Sequence, residues 1–178
     1  MRLNQRGQTF FVIDYETTGL DPVKDDPIEV GIIVTDERFN AIDTFNWLIF
    51  PRGSDTPKWG GSELYAYKVH GIHPDEFQNA LQPCVVGEAI LKLAKRHTSK
   101  QGQKPVLVSD NIQFEWAFTK KLIPGDWPFH YCGWDSSLLL EATGVGDPKP
   151  VHRAFADAGL LHAAIPKALD RIQKCCID

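Results

Sequence analysis

The sequence predicts an α/β protein in which helices cover a mixed sheet. Three short runs rich in β-branched and aromatic residues follow one another in the N-terminal part, each ended by turn-forming residues. Apolar residues at helical spacing then alternate with short apolar runs through the rest of the chain. This order of elements favours an α/β layer, and 178 residues suit one domain, which we expect to span residues 1–178.

The N-terminal part is expected to form three consecutive strands. The first begins with the apolar run at residues 10–13 and delivers Asp14 and Glu16 to its end, and the others lie at 28–35 and 42–50. Clusters of Asp, Pro and Asn mark the turns between them. Since these connections are short, the strands should form a meander on one side of the sheet. Residues 51–63 are rich in turn formers and are expected to form a surface loop.

The C-terminal part is expected to be mainly helical. Residues 86–97 have apolar side chains at 86, 89, 90, 93 and 94, which is the spacing of a helix with one buried face. The remaining predicted elements are, in order, a short helix from Pro74, a strand at 105–108, a helix capped within 109–111 and ending near 122, a strand near 129–132, a helix capped by Asp135 and Ser136 and ending at Gly144, a break at 146–150, a helix from about 151, and a last helix after Pro166.

The charge balance restricts the function. A net charge of −4 and a pI near 5.8 argue against a protein that coats nucleic acid by neutralising phosphates. An acidic enzyme can still meet phosphate if its carboxylates hold metal ions that supply positive charge. We expect neither a signal peptide nor a membrane span, and the four cysteines lack the spacing of a zinc site. A cytoplasmic protein with reduced thiols is therefore predicted.

The stretch TFFVIDYETTGL, residues 9–20, contains the first candidate site. Residues i and i+2 of a strand face the same side, so Asp14 and Glu16 project together while Tyr15 faces away. Two neighbouring carboxylates repel each other unless a cation lies between them, and oxygen donors favour a hard ion such as Mg²⁺ or Mn²⁺. The alternative is a solvated strand end without a metal.

Two further motifs carry polar groups near the C-terminus and in the middle of the chain. His152 and Asp157 are five residues apart, which on one helix separates them by about 140°, so they can share a site only if His152 lies at the helix start. Otherwise His152 is a capping or surface histidine. Asn111 and Glu115 share one helical face, beside an apolar face that contains Phe114; a capped amphipathic helix is the alternative interpretation.

Taken in order, these motifs resemble the DEDDh subgroup of 3'-to-5' exonucleases. The resemblance rests on FVIDYETTGL followed by PIEVGIIV, on VHGIHPDEF, on LVSDNIQFEWAF and on HRAFADA, and it covers residues 10 to about 165. It implies a ribonuclease H-like fold, with a mixed five-stranded sheet flanked by helices. One departure from the family pattern is Glu115, which stands where the family has Asp, and Asp110 is a competing carboxylate.

The resemblance also implies the site and its chemistry. Two divalent cations, Mg²⁺ or Mn²⁺, would be held by Asp14, Glu16, Glu115 and Asp157, with His152 as the general base that activates water. Histidine suits this role because the imidazole group ordinarily titrates near neutrality. The residues that would bind the terminal nucleotide are Thr17, Thr18, Gly19, Leu20 and Asn111.

The predicted function is a metal-dependent 3'-5' exonuclease that acts on the 3' end of single-stranded DNA or RNA and releases nucleoside 5'-monophosphates. The main alternative is a catalytically weakened module of the same fold that binds a nucleic-acid end or a partner. A ribonuclease H-like endonuclease is a third possibility. Discrimination between DNA and RNA depends on contacts to the 2'-hydroxyl, which no residue of the sequence identifies, and the oligomeric state is equally open.

Overall fold

The computed structural model describes residues 7–52, 62–146 and 148–175, and in these ranges a five-stranded sheet has the order β3-β2-β1-β4-β5. The strands are β1 Phe10–Thr17, β2 Pro27–Thr35, β3 Ala41–Leu48, β4 Val106–Ser109 and β5 Trp134–Asp135. The pairs β1–β2 and β2–β3 are antiparallel, whereas β1–β4 and β4–β5 are parallel. The predicted mixed sheet of five strands is therefore confirmed.

Five α-helices and one 3₁₀ turn surround this sheet within the described ranges. They are α1 Ser62–His70, α2 Pro83–Arg96, α3 Ile112–Leu122, α4 Ser137–Thr143 and α5 Ala154–Cys175, with the 3₁₀ turn at Pro74–Asn79. The proline-initiated turn and α2, α3 and α4 match the predicted elements to within a few residues, and Gly144 ends α4 in the left-handed conformation. Helix α1 was not predicted. The predicted loop at 51–63 falls, from 53 to 61, outside the described residues.

The two faces of the sheet have separate apolar cores, which explains the alternation along β1. Phe11 and Ile13 point to the side covered by α2 and α3, whereas Phe10 and Val12 point to the side covered by α4 and α5. Tyr15 follows the first set, and its hydroxyl lies 3.1 Å from the Thr119 hydroxyl on α3. By the same alternation, the acids of β1 face the side of α5.

The predicted position of the fifth strand is wrong. Residues 129–132 are not a strand, and β5 forms two residues later at Trp134–Asp135. The ring of Phe129 is fully buried and contacts the Phe11 ring edge-on, at 5.2 Å between centroids. The apolar character of this segment thus reflects core packing rather than ladder pairing.

The predicted break at Pro166 is also wrong, because α5 continues through this residue as one helix. Proline lacks an N–H and therefore costs the helix one hydrogen bond. Leu161 and Ile165 before the proline and Ala168 after it are all buried against the same face of the sheet. This packing on both sides of Pro166 keeps the two halves of the helix aligned.

Two smaller findings concern cysteines and membranes. Cys84 and Cys132 are free thiols in the structure. None of the helices in the described ranges has the length and apolar character needed to cross a membrane.

Candidate active site

The site forms where α5 begins, directly over the first two strands. In the β1–β2 ladder, Asp14 lies opposite Gly31. A Cβ atom at Gly31 would lie 2.4 Å from backbone atoms of Ala154 and Phe155, so only glycine allows the start of α5 to approach this closely. The close approach brings Asp157, in the first turn of α5, to the acids of β1.

The outer half of the site, as we call it, consists of Glu16, His152 and Asp157, whose donor atoms all lie within 4.8 Å of one another. His152 precedes the helix and has a left-handed backbone with φ of 60°. The two Asp157 carboxylate oxygens accept hydrogen bonds from the backbone N–H groups of Val151, at 2.7 Å, and His152, at 2.8 Å. His152 therefore lies just before the helix start, which is the placement the sequence required for a shared site.

The inner half consists of Asp14, Asp110 and Glu115, whose carboxylate oxygens also lie within 4.8 Å of one another. Glu115 is only 2% exposed, and its Oε2 accepts a hydrogen bond of 2.9 Å from the Ser109 hydroxyl. Asp110 is exposed at the end of β4. Both candidate acids of the middle motif thus reach Asp14, one from the interior and one from the solvent side.

The acids strongly perturb one another. Burial, followed by the charges of Glu115 and Glu16, holds the pKa of Asp14 well above its usual range. Burial and the nearby Asp157 carboxylate raise the pKa of Glu16 to about 8, and burial raises the pKa of Glu115 to about 8. Such a cluster is unfavourable as a set of free anions and is relieved by protons or by a cation. Its all-oxygen donor set fits hard divalent ions.

The loop that follows β1 is held in place by Asp26. Thr18 donates its N–H to the Asp26 carbonyl, and its hydroxyl accepts the Asp26 N–H, both at 2.9 Å. The Asp26 carboxylate lies 2.9 Å from the Arg52 guanidinium and 3.1 Å from the Lys121 ammonium of α3. The Thr17 hydroxyl donates to the Gly19 carbonyl at 2.6 Å. These contacts fix the loop beside the acids.

A groove of about 410 Å³ adjoins the outer half. Of the predicted substrate residues, Thr17, Gly19 and Leu20 line it, and the Leu20 side chain is 84% exposed. Thr18 does not line it, because its hydroxyl is turned to Asp26. Asn111 is exposed at the N-cap of α3, where its side chain makes no capping hydrogen bond.

Several residues of the site were missed by sequence reasoning. Tyr65 of α1 and Phe114 of α3 form the aromatic wall of the groove, and the signal for either would have required knowing where the helices lie. Ser109 and Gly31 act through contacts with Glu115 and α5. For Gly31 a signal existed, since a glycine inside an otherwise apolar strand often marks the close approach of another backbone.

The mixed five-stranded sheet thus brings a cluster of carboxylates and one histidine, which precedes α5, to the end of its first strand. Over residues 11–164 the chain matches the family described as Exonuclease, RNase_T. The chain belongs to this exonuclease family, which confirms the resemblance to DEDDh-type 3'-5' exonucleases found in the sequence.

Among curated proteins, an oligoribonuclease of Tropheryma whipplei (strain Twist) is 24% identical over 158 residues, covering 82% of this chain and 83% of the relative. Among solved structures, E. coli exonuclease I in complex with a dT13 oligonucleotide aligns with a TM-score of 0.71 and 22% identity, over 94% of this chain and 42% of that one. The zinc-bound exonuclease I–ssDNA complex from E. coli gives a TM-score of 0.69 at 21% identity, over 96% and 43%. The chain thus spans less than half of exonuclease I, and this likeness shows the shared fold.

Proposed function

We propose that this protein is a divalent-metal-dependent exonuclease that removes nucleoside 5'-monophosphates from the 3' end of single-stranded nucleic acid in the cytoplasm. The observation that carries the proposal is the outer half of the site, where His152 stands beside Glu16 and Asp157 at the edge of a carboxylate cluster. A nucleic-acid binding module needs no base at this position, whereas hydrolysis needs a group that accepts a proton from water.

The four acids of the predicted ligand set would hold two ions, Mg²⁺ or Mn²⁺: Asp14, Glu16, Glu115 and Asp157. When bound, such ions polarise the phosphodiester, lower the pKa of the attacking water and stabilise charge on the leaving oxygen. Buried Glu115 would serve from the interior, with Ser109 holding its second oxygen.

His152 would take the proton from the attacking water. Its backbone N–H is held by Asp157 and its side chain is only half-buried, so the ring is placed at the site by backbone conformation while keeping access to water. A flexible surface histidine would be a less efficient general base, because the imidazole must be correctly oriented at the moment of proton transfer.

The terminal nucleotide would lie in the groove beside the outer half. Exposed Leu20 would offer an apolar contact to the base, and Thr17, Thr18 and Gly19 form the loop that carries Leu20. Asn111, the exposed N-cap of α3, would offer a polar contact next to Asp110. A single-stranded substrate is supported by exonuclease I, whose structures hold ssDNA, and by the relative named an oligoribonuclease. We accordingly propose DNA or RNA as substrate, the choice to be made by assay.

The test is the trimming of 5'-labelled single-stranded DNA and RNA oligonucleotides with Mg²⁺ or Mn²⁺, with and without EDTA. His152→Ala should lower kcat by about 10²- to 10⁴-fold, the usual contribution of a general base. His162→Gln is the matched control, because that ring lies on α5, which His152 directly precedes, but contacts the Phe39 carbonyl, at 2.9 Å.

Three results would redirect the proposal. A folded His152→Ala variant with the wild-type rate would remove the general-base assignment. Metal-dependent binding of the oligonucleotides without any cleavage would favour the weakened binding module. Cleavage of a circular substrate would favour an endonuclease.

A further inference from the structure

The start of α5 is tied to two other elements through Arg153, the residue after the proposed base. The guanidinium donates to both carboxylate oxygens of Glu29 on β2, at 3.0 and 3.2 Å. It also donates to the Glu76 carboxylate of the 3₁₀ turn, at 3.2 Å. One side chain thus joins a strand, a turn and a helix start that are far apart in the sequence.

Glu29 is the fixed point of this arrangement. It is 1% exposed, and besides the guanidinium it accepts the Ala154 N–H at 2.9 Å. A buried carboxylate is tolerated only when it is paired and hydrogen-bonded, and a two-point arginine contact also fixes orientation. Glu29 lies opposite Glu16 in the β1–β2 ladder, so the anchor stands beside the outer half of the site.

Glu76 makes the third contact rigid. Its other oxygen accepts the His73 N–H at 2.8 Å as part of a capping box that closes the 3₁₀ turn. The capping box therefore orients the Glu76 carboxylate independently of its contact with Arg153. This gives the VHGIHPDEF segment a physical role that the ligand set leaves unassigned.

His152 lies between two anchored points. Its left-handed φ of 60° is unfavourable for any residue with a Cβ and persists only where neighbours enforce it. Asp157 holds the backbone N–H groups of residues 151 and 152, while Glu29 holds residues 153 and 154. Loosening either side would let the backbone relax and turn the imidazole away from Glu16.

We propose that Glu29, Arg153 and Glu76 form a positioning clamp that holds the imidazole of His152 at the site, an inference that rests on the proposed exonuclease activity. The three are positioning residues, since none belongs to the proposed ligand set or lines the groove. They act on the reaction through His152.

A double-mutant cycle tests this. Arg153→Met should lower kcat by about 10- to 100-fold, as loss of supporting contacts commonly does, with KM nearly unchanged. In the His152→Ala background the same substitution should have almost no further effect on kcat, because the group it positions is gone. Equal factors in both backgrounds would overturn the clamp, as would a wild-type rate for Arg153→Met.

Two further variants keep the test decisive if Arg153→Met does not fold: a milder substitution and a control. Glu76→Gln weakens only the partly exposed contact between Arg153 and Glu76. It should lower kcat by a smaller factor than Arg153→Met does, again only while His152 is present. Lys92→Gln removes an exposed ion pair with Glu88 on α2 and should match the wild type. If Arg153→Met does not fold, a Glu76→Gln variant with unchanged kcat would still contradict the clamp.

Amide hydrogen exchange separates this inference from the proposed function. The Ala154 N–H should exchange faster in Arg153→Met and Glu76→Gln than in Lys92→Gln, whether or not the protein cleaves nucleic acid. An inactive wild type would refute the proposed function alone. An active wild type with unchanged exchange at Ala154 and unchanged kcat in both variants would refute the clamp alone.

Discussion

The two halves of the acidic site differ in what holds them together. The donors of the inner half, Asp14, Asp110 and Glu115, are all carboxylates. In the outer half, two carboxylates meet an imidazole, and Asp157 is engaged by two backbone N–H groups. The inner half therefore consists of acids that repel one another, whereas in the outer half backbone contacts also fix the position of one acid and of the histidine.

The two halves therefore depend on different interactions: cation binding in the inner half and backbone contacts in the outer half. A cluster of carboxylates that repel one another gains most from a cation, and the gain is available only when the ion is bound. A histidine held by the backbone needs no ion to stay in place. We therefore expect removal of metal to disturb the inner half and substitution around α5 to disturb the outer half.

The largest expected effect is at Asp14, the acid most enclosed by other acids. Asp14→Asn should lower kcat by roughly 10³-fold or more, because loss of metal-based charge stabilisation amounts to several kcal/mol. In EDTA the same substitution should raise Tm, since it removes the cost of burying an acid among neighbouring acids. Oligonucleotide trimming and calorimetry measure the two effects, with Asp170→Asn on exposed α5 surface as the control. A lower Tm in EDTA would contradict the repulsive inner half.

A smaller effect should separate the two acids that flank Asp14. Glu115→Gln should weaken Mn²⁺ binding by about 10- to 100-fold, because a buried ligand held by Ser109 has no solvent substitute. Asp110→Asn should weaken it only a few-fold, since solvent and salt screen an exposed carboxylate. Titration calorimetry with Mn²⁺ decides between them. Equal losses of Mn²⁺ affinity would contradict the assignment of Glu115 as the main inner ligand. A larger loss for Asp110→Asn would assign that role to Asp110.

Local spacing was sufficient to predict how several candidate site residues are arranged. Strand alternation placed Asp14 and Glu16 on one face and Tyr15 on the other, as the structure confirms. The helical angle between His152 and Asp157 required a break before the helix, and α5 indeed begins at Ala154. Both inferences depend on residues within one element, where backbone geometry alone fixes direction.

The parts that sequence reasoning missed depend on contacts between distant segments. Nothing local in residues 129–132 shows that Phe129 packs on Phe11 instead of joining the ladder. Pro166 ordinarily ends or kinks a helix, and only the sheet beneath α5 outweighs that preference. Likewise, the partners of buried Glu29 are Arg153 and Ala154 at the start of α5, more than a hundred residues further along the chain.

The smallest expected effect is the pH dependence of stability in the absence of metal. In the folded protein Glu16 and Glu115 have a pKa of about 8, whereas a glutamate in the unfolded chain titrates near 4.3. Between these values the folded state binds more protons, so its stability falls as pH rises. In EDTA, Tm should fall by several degrees from pH 5.5 to 8.5, since about 1 kcal/mol corresponds to roughly 2–4 °C in a chain of this size.

Mn²⁺ should reverse this trend, because an ion that displaces those protons binds better as pH rises and stabilises only the folded state. Glu115→Gln tests the contribution of the inner half, since it removes one of the two glutamates whose pKa is raised. In this variant Tm should fall less steeply with pH in EDTA. Calorimetry at a series of pH values with EDTA or Mn²⁺ measures both slopes. A wild-type Tm that is constant or rising in EDTA would mean that the inner half is already compensated within the protein, and the contrast between the two halves would then be lost.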